Sequence, residues 1–312
     1  MLRRLSLRWL FPLTLVVLLL PACSDSADDV AATTTVPTTA ASETTTTTDA
    51  PTTTTTVAPT TATTVALQGH GPFEVTTTVV SHETTRDIHV WAPDADGAWP
   101  IVYALHGMGG SGQDLAATAT ELASHGNVVF APDWDVFAPD WGSGQTTECS
   151  YRYSLSIAGG FGGDPNQPIT YIGHSIGAES ILFGGLDDAA YGPGGTYDEC
   201  FEGGARPSML VPISGCHYED GFEPVAYSDQ GVEIVLVVGT EDALCESWQS
   251  QDATNDLQAA GYDARLVEVE GGTHFTVIFY DLVDGIRLTL IPDHPVGMEV
   301  VQTILDAIET AQ

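Results

Sequence analysis

Hydrophobic residues along this chain gather into short apolar runs separated by stretches with a helical period. Strand-like runs lie near 75 to 80, 86 to 91, 100 to 105, 127 to 131, 169 to 173, 208 to 213, 232 to 239 and 264 to 269. The run beginning at Pro100 reads as a strand buried on both faces. From Gly112 onward, helix-like segments alternate with the strands, the order that builds a mostly parallel sheet with helices packed on its two faces. In the last helix Met298, Val301, Leu305 and Ile308 recur at three- and four-residue spacing and are expected to face the core. About 245 residues follow Leu67, room for one α/β domain with a sizeable core and no second.

Ahead of that domain the pattern changes twice. Residues 1–22 read as an export signal: Arg3, Arg4 and Arg8 precede an apolar stretch, Trp9 to Leu20, that is short for a membrane span. Leu20-Pro-Ala-Cys23 resembles a bacterial lipobox, which would make Cys23 the lipidated first residue of a surface-anchored protein; simple secretion is the alternative. Residues 23–66 form a threonine-rich tether, with 19 threonines among the 33 residues from Thr33 to Val65. So little apolar surface cannot offset chain entropy, and disorder is expected there, with or without glycosylation. The folded domain is then residues 67–312.

Four segments of that domain carry chemistry, each directly after a strand-like run. Gly173-His-Ser-Ile-Gly177 sits between the run ending at Ile172 and a helix-like run from Ala178. A nucleophilic serine needs such a turn: flanking glycines let strand and helix approach, and Ser175 Oγ stands exposed at the helix N-terminus. Upstream, His106-Gly-Met-Gly-Gly110 can aim backbone N–H groups at a developing oxyanion; Met108 N–H and Ile176 N–H are the expected pair. Downstream, the strand at 232 to 239 leads to Asp242, the expected acid, with Glu241 as its nearest rival and Glu219 and Asp220 as more distant ones. A helix N-cap is the plainer role for Asp242. After the last strand, Gly-Gly-Thr-His274 presents the expected general base. The other histidine beyond Asp242 is His294, which precedes a proline at the start of the final helix. His106 and His174 are expected to brace their loops, and no histidine or cysteine spacing suggests zinc.

Together HGMGG, GGDPNQPITYIGHSIGAES and GGTHF resemble the α/β-hydrolase superfamily, over roughly Arg86 to Thr310. Within it, residues 161–180 look like carboxylesterases, feruloyl-esterase-like lipases and dienelactone-hydrolase-like serine esterases. The resemblance implies an α/β-hydrolase fold: an eight-stranded, mostly parallel sheet with helices on both faces and no large lid. It implies a serine hydrolase that cleaves carboxylic esters without a cofactor, using Ser175, Asp242 and His274 with the Met108 and Ile176 amides as oxyanion hole. The substrate would be a small-molecule or polymeric ester. Ile176 departs from the alanine usual in those esterases, and the oxyanion loop is not an unbroken glycine run. Two other readings use the same scaffold: an acyltransferase with the same triad, and a non-catalytic surface binding module. A serine elbow disfavours dehalogenase and epoxide-hydrolase chemistry.

Besides Cys23 the chain has Cys149, Cys200, Cys216 and Cys245, an even number in an exported protein, which predicts two disulfides with three possible pairings. Cys216 and Cys245 follow strands expected to be neighbours, so a bridge there would brace the loop carrying Asp242 and leave Cys149 to Cys200. Trp134, Phe137 and Trp141 either line the cleft or pack as core aromatics.

Charge adds the last constraint. Forty-two acidic residues face eight arginines and no lysine, for a net charge of −34. Such a chain repels nucleic acid, and membrane association would run only through the Cys23 anchor. Nothing in the sequence speaks to oligomeric state. Self-repulsion at this charge is relieved by counter-ion screening. The melting temperature is therefore expected to rise between low and molar NaCl, as scanning calorimetry would read; a flat response would show that repulsion is negligible.

Overall fold

The computed structural model describes residues 69–81, 86–134, 145–186, 205–216, 231–283 and 287–311 of the 312. The signal, Cys23, the tether, Phe137, Trp141, Cys200, Glu219 and Asp220 lie outside them. Eight strands form one sheet: β1 (Val75–Val80), β2 (Ile88–Pro93), β3 (Ile101–Leu105), β4 (Val128–Pro132), β5 (Ile169–His174), β6 (Met209–Ile213), β7 (Glu233–Gly239) and β8 (Asp263–Val269). Their order is β1-β2-β4-β3-β5-β6-β7-β8. Only β2 runs against its neighbours, pairing antiparallel with β1 and β4; β4 and β3 through β8 are parallel.

Why the central strands are apolar at every position follows from what covers them. Ile101, Tyr103 and Leu105 point to one face of the sheet and Val102 and Ala104 to the other, and each set joins a separate core. The first core takes in Tyr151 of α2 (Gln145–Ile157), Ile181 and Leu182 of α3 (Ile176–Leu186), and Ala253 and Leu257 of α4 (Ser247–Ala259). The second takes in Ala119 and Leu122 of α1 (Ala116–Ser124) and the apolar face of α5 (Pro295–Thr310). Edge strands keep a mixed pattern: in β8, Ala264 and Val269 are buried while Asp263, Arg265 and Glu268 face water.

The final helix departs from the expected stripe. Its buried positions are Gly297, Val300, Val301, Ile304, Ala307 and Ile308, while Met298 and Leu305 only edge the core. The offset comes from Phe279, which lies so close that a Cβ at Gly297 would stand 2.7 Å from its ring; the helix lands on that face and turns Met298 aside. The sequence pattern also gave no sign of β9 (Tyr280–Val283) and β10 (Arg287–Leu290), an antiparallel pair inserted before α5. Ile304→Ala is therefore expected to cost about 2–5 kcal/mol of unfolding free energy in urea titrations, and Met298→Ala under about 1.5 kcal/mol.

Candidate active site

Every segment singled out for chemistry lies at the carboxyl end of a parallel strand, so all of them meet at one edge of the sheet. Ser175 follows β5 with φ +57°, a left-handed conformation that costs a non-glycine residue energy and persists only where its surroundings impose it. Strand and helix close tightly around it. A Cβ at Gly173 would lie 2.3 Å from the carbonyl oxygen of Gly177, and one at Gly177 would lie 2.5 Å from that of Leu105. The Ser175 N–H donates to Ile213 O at 2.9 Å, tying the elbow to β6. Ser175 Oγ itself makes no hydrogen bond among the described residues.

Asp242 and His274 are brought into contact, with Nδ1 3.0 Å from Oδ2 and both side chains buried. The register that sets Gly239 opposite Val269 carries their two loops side by side. Those loops are then stitched together: Thr240 N–H donates to Val269 O at 3.0 Å, Glu241 N–H to Gly272 O at 2.8 Å, and Gly271 N–H to Thr240 Oγ1 at 2.9 Å. A side chain at Gly239 would leave no room for this, since its Cβ would stand 2.1 Å from Gly272 O. Asp242 Oδ1 accepts from the Leu244 and Cys245 amides at 3.0 and 2.8 Å, so the residue closes its own turn. The N-cap of α4 is Glu246. Burial pushes the Asp242 carboxyl up, but the His274 hydrogen bond and the Cys245 amide outweigh it and hold the group below the usual carboxylate range. Its rival Glu241 is exposed, and His294 caps α5.

Cys216 is disulfide-bonded to Cys245, three residues beyond Asp242, with 4.6 Å between the Cα atoms. Cys149 is also disulfide-bonded, and Cys200, its expected partner, lies outside the described residues. Asp242, Cys245 and His274 each offer a donor atom within 4.8 Å of the others, a spacing that suits a metal ion. The bridge engages the Cys245 sulfur, however, so this trio lacks its thiolate.

The glycine-rich loop after β3 meets Ser175 directly: a Cβ at Gly107 would lie 3.1 Å from that of Ser175. Met108 N–H and Ile176 N–H make no hydrogen bond among the described residues. Two buried histidines hold the surroundings. His106 Nδ1–H donates to Gly107 O at 2.7 Å while Nε2 accepts from Trp134 N–H at 3.2 Å, which defines a neutral ring; burial lowers its pKa accordingly. Trp134 is thus a core aromatic, its indole N–H bonded to His106 O at 3.2 Å. His174 Nε2–H donates to His274 O at 2.7 Å, and the two rings lie 4.7 Å apart between centroids, tilted by 49°. Burial, with His274 nearby, pushes the His174 pKa down from 6.5 to about 3. Sequence reasoning gave these braces no partners, because the contacts of His106 and His174 span 28 and 100 residues.

The comparisons with known proteins agree with this architecture. No family model matches the chain. A rice protein (Oryza sativa subsp. japonica) described as a probable isoprenylcysteine alpha-carbonyl methylesterase is 28% identical over 232 residues, covering 63% of this chain and 54% of that protein. The chain thus spans about half the length of this curated relative. Among solved structures, a truncated carbohydrate esterase from gut microbiota superposes with a TM-score of 0.52 at 17% identity, over 78% of this chain and 98% of the other. Inhibited esterase B from Lactobacillus rhamnosis gives 0.57 at 14% identity, over 78% and 89%. The chain has the α/β-hydrolase fold, and shares it here with proteins described as esterases.

A base whose folded pKa lies below its unfolded value binds fewer protons when folded. His174 therefore costs stability as pH falls from 6.5 toward about 3, with His106 acting in the same direction. His174→Gln, which retains an N–H donor and does not titrate, is expected to flatten the loss of unfolding free energy across that window in urea titrations at stepped pH.

Proposed function

We propose that this protein is an exported serine hydrolase that cleaves carboxylic esters through an acyl-enzyme on Ser175. The observation that carries the reading is the buried Asp242–His274 pair at the same end of the sheet as a serine held at φ +57° on a strand-to-helix elbow, whose neighbour His174 donates to His274 O. A serine forced into that conformation, at the same end of the sheet as an imidazole whose Nδ1 proton is already bound by a carboxylate, suits nucleophilic attack. The esterase descriptions of the sequence and structural relatives support the same class.

In this reading His274 Nε2 takes the proton of Ser175 Oγ as the oxygen attacks the ester carbonyl. Asp242 keeps the proton of His274 on Nδ1 and stabilises the imidazolium that forms. The negative oxygen is received by the Met108 and Ile176 amides, which have no competing acceptor among the described residues. His274 then gives its proton to the departing alcohol. In the second half it takes one from water as the hydroxide adds to the acyl carbonyl, and returns it to Ser175 Oγ as the bond to that oxygen breaks and the acid leaves.

The surroundings favour uncharged esters. The Met108 and Leu244 side chains, on the loops after β3 and β7, are 61% exposed and offer apolar surface at the same edge of the sheet. The net charge of −34 opposes anionic substrates and helps expel a carboxylate product. Cys23 and the threonine tether would hold the enzyme clear of the cell surface, and a chain lacking the lipid would be secreted.

Hydrolysis of p-nitrophenyl esters from acetate to palmitate tests the proposal. Turnover is expected to peak at one chain length and to fall by about 10³-fold or more in Ser175→Ala. A folded protein with no Ser175-dependent turnover on any ester would point to the acyltransferase or binding-module readings instead.

A further inference from the structure

Ser214 occupies a position where two physical preferences argue against serine. Its φ of +49° is left-handed, which favours glycine. It is fully buried, and its hydroxyl makes no hydrogen bond of good geometry, which favours an apolar group or no side chain at all.

What surrounds it gives the serine a purpose. Ser214 directly follows β6, and its N–H donates to Val237 O of β7 at 2.8 Å. The carbonyl of Ile213, immediately before it, accepts the Ser175 N–H at 2.9 Å. The Ile213–Ser214 peptide is thus held between the serine elbow and the strand that leads to Asp242. Two residues later Cys216 is bonded to Cys245, whose amide donates to Asp242 Oδ1. A carboxylate offers about four acceptor positions. On Asp242 the Leu244 and Cys245 amides use two at Oδ1 and His274 uses one at Oδ2. The buried Ser214 hydroxyl has no other partner among the described residues, and it counts, after the His274 hydrogen bond and the Cys245 amide, among the groups that hold this carboxyl low.

We infer that Ser214 is a positioning residue for the Asp242–His274 pair, its Oγ–H supplying the fourth hydrogen bond to the Asp242 carboxylate. A hydroxyl rotation and a small side-chain adjustment complete the bond; no proton changes hands. With all four positions filled, the carboxylate cannot turn away from His274 and has no vacant site to take a proton. The inference rests on the ester-hydrolase reading for its kinetic consequence, and on geometry alone for its structural one.

Ser214→Gly separates this role from a structural one, because it removes the hydroxyl and relieves the left-handed backbone together. The melting temperature is expected to stay level or rise. At the same time kcat/KM for a p-nitrophenyl butyrate is expected to drop about tenfold or more, through kcat with KM little changed, and the acid limb of the pH–rate profile to move. An arm independent of turnover follows the downfield NMR proton resonance of His274 Nδ1–H, which should shift in the variant. An unchanged kcat/KM together with an unmoved resonance would overturn the inference. Parent protein that displays the resonance without hydrolysing any ester would sink the hydrolase reading, and the resonance alone would then decide Ser214. Should Ser214→Gly fail to fold, Ser214→Ala is judged by the same two readouts.

Discussion

A carboxylate withdrawn from water must be met by donors on every side, and the Asp242–His274 contact sets this demand on the whole sheet edge. Asp242 is shielded completely at its side chain, yet its pKa is held below the ordinary value because the His274 imidazole and the Cys245 amide bond to it. Those donors come from two loops that meet only because β7 and β8 are parallel and in register to their last residues. Glycines at 239 and 272 remove the atoms that would hold the loops apart, and the Cys216–Cys245 bridge ties the acid loop to the end of β6. Loss of any one of these would weaken the compensation of a buried charge.

The elbow depends on the same logic of enforced conformation. Ser175 is held left-handed by a helix that starts immediately after it, by contact between the backbones at Gly173 and Gly177, and by its own N–H bonded to Ile213. Around it the chain uses histidine as a neutral polar brace. His106 and His174 are buried where a charge would be unsupportable, and each spends its ring N–H on a backbone carbonyl of a loop in the candidate site. In a protein with 42 acidic residues, neutral donors can rigidify these loops without adding charge to the edge.

Much of the fold was legible because a strand covered on both faces needs apolar side chains in succession, and only such strands can form the centre of a parallel sheet. Eight runs were visible and eight strands share one sheet, with boundaries shifted by no more than a residue or two. Legibility failed where a tertiary neighbour chose between near-equivalent options. The final helix had apolar residues on more than one possible face, and Phe279 against Gly297 selected Ile304 over Leu305. The β9–β10 pair escaped notice because Tyr280–Val283 and Arg287–Leu290 are short and mix charge with apolar residues.

At the candidate site the division is similar. Ser175, Asp242 and His274 each stood out because a polar residue after an apolar run and a glycine turn is a local pattern. Disulfide pairing of Cys216 with Cys245 was one of three possibilities until the order of β6 and β7 placed the two side by side. Ser214 carried no signal at all, since a serine after a strand is commonplace. Its left-handed backbone and place beside Asp242 exist only when β5, β6 and β7 are assembled. Sequence by itself determined which residues could do chemistry and in what order they occur, because those properties are covalent and local. Tertiary structure decided which of them touch, because hydrogen-bond partners 32 or 100 residues apart are selected by sheet register and packing.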